Sequence, residues 1–110
     1  MIYITIFQNQ GKICEFNCIG HAGYGEEGTD IVCAGVSALV INAINSIENL
    51  TDTEFSLVTD EESGSGLIDV TFSEELSAEA KLLMDSMILG LQGIQNDYGE
   101  EFLTLEFKEV

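Results

Sequence analysis

The stretch Ile2-Tyr3-Ile4-Thr5-Ile6-Phe7 alternates so that Ile2, Ile4 and Ile6 share one face of a strand. After Asn9-Gln10-Gly11-Lys12, a turn sequence, the alternation resumes with Cys14, Phe16 and Cys18 on one face, and the two runs predict a β-hairpin. From Ile31 to about Leu50 the apolar residues instead recur almost all round a helical wheel. That pattern fits a helix covered on several sides, by a sheet and by a second subunit, with Asp30 as its predicted N-cap. A second hairpin is expected from Glu54–Thr59 and Leu67–Phe72, joined by the glycine turn at Gly64 to Gly66. Ala80, Leu83, Met84, Met87, Ile88, Leu91 and Ile94 then keep the i, i+3, i+4, i+7 spacing of an amphipathic helix that Gly99 can end, and Phe102–Phe107 is the last strand. The order ββαββαβ predicts an α+β fold, a mainly antiparallel five-stranded sheet with two helices packed on one face. The uncovered face or edge invites a homodimer.

The 110 residues are one domain's worth of chain, 1–110, with 45% hydrophobic and 21% charged residues. This is the composition of a folded domain and not of an acidic disordered tail. Three lysines, Lys12, Lys81 and Lys108, face 20 Asp and Glu, for a net charge of -17. With no arginine, the chain has almost nothing with which to neutralise phosphates, so direct nucleic-acid binding is not expected. The same field attracts a basic polypeptide, although a negative surface also serves solubility alone. Cys14, Cys18 and Cys33 are an odd number, and the start MIYITIFQNQGK lacks the basic and apolar regions of a secretory leader, so a cytoplasmic location is expected. The weakly polar run Ile31 to Ile44 is shorter than the roughly 20 residues of a membrane span, and no membrane association is expected.

Chemistry is concentrated in Gly20 to Leu39, GHAGYGEEGTDIVCAGVSAL. Gly23, Gly25 and Gly28 spell GxGxxG, but the preceding strand closes a hairpin, and Glu26 and Glu27 place carboxylates where a pyrophosphate would lie. A Cys14, Cys18, His21 and Cys33 zinc set is weakened because two strand residues four apart are separated by about 13 Å. The third arrangement is a Cys and His pair. Cys33, three residues after Asp30, falls in the predicted first helical turn, where free N–H groups and the helix dipole favour a thiolate. His21, at the end of the preceding strand, can return to it as general base and then acid. A turn histidine and a packed helix cysteine fit the same spacing.

Gly20-His21-Ala22, Gly28, Asp30, Val32-Cys33-Ala34 and Val36-Ser37 resemble the signature of the ribosomal-processing cysteine proteases, the Prp family. The resemblance implies His21 and Cys33 as the catalytic dyad and suggests that Asp30 and Ser37 support activity. It implies no metal or cofactor. It further implies a homodimer and one task, removal of a short N-terminal extension from large-subunit ribosomal protein L-twenty-seven, with cleavage after an aromatic residue. The loop Gly20, Ala22, Gly23, Tyr24, Gly25, Glu26, Glu27 and Gly28 is then the expected substrate loop, a gate that orders on the peptide, because glycines lower the cost of alternative backbone conformations. The alternative function is a non-catalytic acidic module that binds a basic ribosomal partner, with Cys33 merely packed in its helix.

Overall fold

The computed structural model describes residues 1–20, 29–60 and 66–110, the side chains of residues 29 and 30 excepted. In chain order the elements are β1 (Ile2–Asn9), β2 (Lys12–Ile19), α1 (Thr29–Leu50), β3 (Phe55–Asp60), β4 (Leu67–Phe72), α2 (Ala78–Tyr98) and β5 (Leu103–Glu109). The strands form one five-stranded sheet in the order β3-β4-β2-β1-β5. All neighbours pair antiparallel except β1 and β5, which are parallel. Each helix therefore joins strands that are not adjacent: α1 leads from β2 past β4 to the edge strand β3, and α2 leads from β4 past β2 and β1 to the other edge, β5. Both crossovers lie on one face of the sheet, and the core sits between them and it.

The period-two pattern of β1 holds in full, with Ile2, Ile4 and Ile6 all buried. Ile4 lies opposite Cys18 and Ile6 opposite Phe16, and Phe16 in turn lies opposite Val70 of β4, so one register carries the apolar face across three strands. Such cross-strand pairs are the unit of sheet stabilisation. The pattern of β2 departs from expectation at Cys14. Phe7 pairs with Glu15 but Gln8 pairs with Ile13, so Cys14 is the extra residue of a β-bulge. Ile13 takes the buried place, and Cys14 is half-buried, its thiol directed to the Phe7 carbonyl at 3.5 Å.

On the helix side, Val32, Val36, Val40 and Ile47 of α1 and Met84, Met87 and Leu91 of α2 complete the core. Residues Ile31–Leu50 are long and apolar enough to cross a membrane; in this fold 33% of the apolar window is buried, through residues such as Val32, Val36, Val40 and Ile47 in the core, while Ile31, Ile41 and Leu50 stay exposed. Ser77 caps α2 by accepting the Ala80 N–H at 3.2 Å, and at the other end the Gly99 N–H donates to the Gln95 carbonyl at 2.8 Å. The Gln95 side-chain amide donates to the Leu103 carbonyl and ties α2 to β5.

Among the described residues no helix packs on the opposite face of the sheet, which is mixed in polarity. There a hydrogen bond with the Asp69 carboxyl, then burial, then the Asp69 charge raise the pKa of Glu15 above its ordinary value. The pair stands between neighbouring strands β2 and β4, where Asp69 lies directly opposite Asn17.

Candidate active site

Cys33 is placed by a helix start and by the valines around it. α1 opens at Thr29, so Asp30 stands inside the first turn and is not the N-cap that the sequence suggested. Cys33 is accordingly the fifth helical residue and opens the second turn, not the first. The free backbone N–H groups belong to the four residues before it. Val32 and Val36, at 1% and 2% exposure, point into the core and fix the rotation of α1 about its axis. Cys33 is left half-buried and packed against the edge of that core.

The sheet element facing it is the end of β2. Cys18 is 7% exposed, and its pKa is pushed up to about 11, first by burial and then by the charge of Cys33. Cys18 lies within the core cluster and Cys33 packs against it, and Cys18 precedes His21 by three positions in the chain. Gly20, the last described residue before His21, has φ of +110°, and a Cβ there would overlap the carbonyl oxygen of Met1. Only glycine fits this conformation without strain. Thus β2 is stopped at a fixed place, with its end against the N-terminus of β1 and beside α1.

His21, Ala22, Gly23, Tyr24, Gly25, Glu26, Glu27 and Gly28 lie outside the described residues, as does most of the expected glycine turn between β3 and β4. Ser37 is exposed one turn beyond Cys33 on α1, at the i+4 position that puts both on one side of the helix. The dinucleotide reading loses its context, because β2 pairs antiparallel with both neighbours. Sequence reasoning did not find that Cys33 packs against the core cluster that holds Cys18, or the requirement for glycine at position 20. The signal for the second was present in principle, as a glycine ending a strand directly before the candidate histidine.

The family described as Cysteine protease Prp matches residues 1–102. The chain belongs to this family. The ribosomal processing cysteine protease Prp of Bacillus subtilis is 39% identical over 103 residues, covering 89% of this chain and 90% of its own. Two crystal structures of the essential ribosomal processing protease Prp from S. aureus superpose closely, each covering 98% of this chain and 100% of the other. The one with a covalently linked product peptide gives a TM-score of 0.87 at 34% identity, and the one with a substrate peptide gives 0.88 at 33%. The Prp fold and cysteine protease class apply to this chain over nearly its whole length.

Thiol chemistry separates the cysteines. A thiol with a pKa of about 11 is almost wholly protonated near pH 8. Iodoacetamide applied to the native protein at pH 8 is expected to label Cys33 at least about tenfold faster than Cys18. Peptide mapping by mass spectrometry checks this, and equal labelling of the two would contradict the placement of Cys18 in the core.

Proposed function

We propose that this Prp protease removes the N-terminal extension of large-subunit ribosomal protein L-twenty-seven, with Cys33 as nucleophile and His21 as general base and then acid. The observation that carries the reading is the position of Cys33, half-buried at the start of α1 against the end of the strand that leads to His21. His21 takes the thiol proton as sulfur attacks the scissile carbonyl carbon, and returns it to the departing amine. The acyl fragment is then a thioester on Cys33. Water, deprotonated by His21, attacks this thioester and releases the extension as a carboxylate. Asp30 and Ser37 support the pair from the neighbouring turns of α1.

The net charge of -17 favours a basic substrate by raising its encounter rate, and makes that rate fall with salt. The three free thiols suit a reducing cytoplasm. A homodimer belongs to the same reading, supported by Leu82 and Leu89, which stand two turns apart on α2 at 70% and 71% exposure.

A peptide spanning the junction between extension and mature ribosomal protein tests the substrate. Wild-type protein is expected to cut it once, after an aromatic residue, and to leave the mature N-terminus. Replacement of that aromatic residue by aspartate is expected to lower kcat/KM by at least about 100-fold. Cleavage at scattered positions, or unchanged cleavage of the aspartate peptide, would contradict the proposed specificity.

A further inference from the structure

Between α1 and the β3–β4 hairpin runs a groove of about 530 Å³, within the range of ligand-binding clefts. Ile41 and Leu57 form its two walls at 49% and 48% exposure, while Leu67 and Ile68 line it from β4. Among the described residues none that lines it is charged, in a chain in which 20 of 110 residues are Asp or Glu. A cavity at the other end of the same hairpin shows the contrast, being lined by Asp52, Glu54, Glu74, Glu75 and Glu79. Its described walls are thus apolar and uncharged in a strongly acidic chain.

Two independent connections lead from it to Cys33. Along α1, Ser37 lines the near end of the groove, one turn or about 6 Å from Cys33. Across the sheet, Ile68 lies directly opposite Cys18, which belongs to the core cluster against which Cys33 packs, and opposed strand residues are only about 5 Å apart. A polypeptide crossing the sulfur in extended form advances about 3.3 Å per residue. A side chain two or three residues from the scissile bond therefore reaches the groove.

We infer that this groove is a specificity subsite, in which Ile41 and Leu57 select a bulky apolar side chain of the substrate polypeptide two or three residues from the bond cleaved. The occupant is the substrate because Ser37, one turn from the nucleophile, lines the groove, and it is apolar because Ile41, Leu57 and Ile68 dominate the described walls and none of the described lining residues can pair with a charge. Acidic surface and apolar channel then divide the labour: the first speeds encounter with a basic protein, and the second fixes which segment of it enters the site.

The inference rests on Cys33 as nucleophile, and its test keeps the two claims apart. Peptides cut by the wild type are varied singly, from bulky apolar to Ala and to Lys, over three positions on each side of the scissile bond. At one position two or three residues from that bond, the apolar-to-Ala change is expected to lower kcat/KM by about 10–100-fold. In a double variant Ile41→Ala, Leu57→Ala this preference is expected to shrink to about threefold or less. Leu57→Glu is expected to turn it toward Lys, a gain that misfolding cannot produce. An undiminished preference in all variants would overturn the subsite while Cys33→Ala still abolished cleavage. So would a change of sedimentation behaviour in Leu57→Glu without any change of preference, which would assign the groove to a second copy of the chain. Cleavage surviving Cys33→Ala would instead overturn the nucleophile.

Discussion

Cys33→Ala is expected to lower kcat/KM for the junction peptide by at least about 10³-fold, because alanine has no atom that can form the thioester. The side chain is half-buried at the margin of the core, so loss of one sulfur is expected to change the unfolding free energy by no more than about 1 kcal/mol. His21→Ala is expected to cause a loss of similar size, since the thiol then lacks its base and the leaving amine its acid. The two residues act as a unit, and the double variant is therefore expected to be little worse than either single variant. Peptide turnover by the four proteins, with thermal unfolding alongside, checks all three statements. Multiplicative losses would show that the residues act independently.

Gly20→Ala is the second large effect, and it acts first on stability. At φ of +110° an alanine is strained, and its Cβ meets the backbone carbonyl of Met1, which cannot swing aside as a flexible side chain would. The expected cost is at least about 2 kcal/mol, a shift in Tm of roughly 10 °C for a domain of this size. Gly11→Ala is the control: Gly11 also has a positive φ, +77°, but has nothing within 4 Å of the added carbon, so it is expected to cost only about 1 kcal/mol. Activity of Gly20→Ala is expected to fall as well at temperatures where it remains folded, because residue 20 joins β2 to His21. Calorimetry that found the two variants equally stable would contradict the close packing of Gly20 on Met1.

The fold was legible where a single period decides an element. Ile2, Ile4 and Ile6 alternate without interruption, and the 3.6-residue spacing of Ala80 through Ile94 matches α2, which ends at Gly99 as expected. Legibility failed where a local exception is set by a tertiary neighbour. The bulge that shifts Cys14 leaves no mark in composition, because one inserted residue reverses the face of those before it. The start of α1 at Thr29 moved Asp30 from cap to first turn and Cys33 from the first to the second turn, a shift of two residues, from a first helical residue at 31 to one at 29, that capping propensity alone does not resolve. The placement of Cys33 and Ser37 on one helix was legible. The groove was not, since Ile41, Leu57 and Ile68 come from three elements that only the β3-β4-β2 strand order brings together. The parallel pairing of β1 with β5 was equally hidden, because both strands show only their own alternation.

The central claim is that the sulfur of Cys33 carries the extension of the ribosomal protein as a thioester. Mixing wild-type protein with the junction peptide, quenching in acid within milliseconds to seconds and weighing the intact protein tests it most directly. The account predicts an adduct with the mass of the extension fragment less one water, localised to Cys33 by tandem mass spectrometry and absent from Cys33→Ala. Turnover of the peptide with an adduct on Cys14 or Cys18, or in the Cys33→Ala protein, would contradict it.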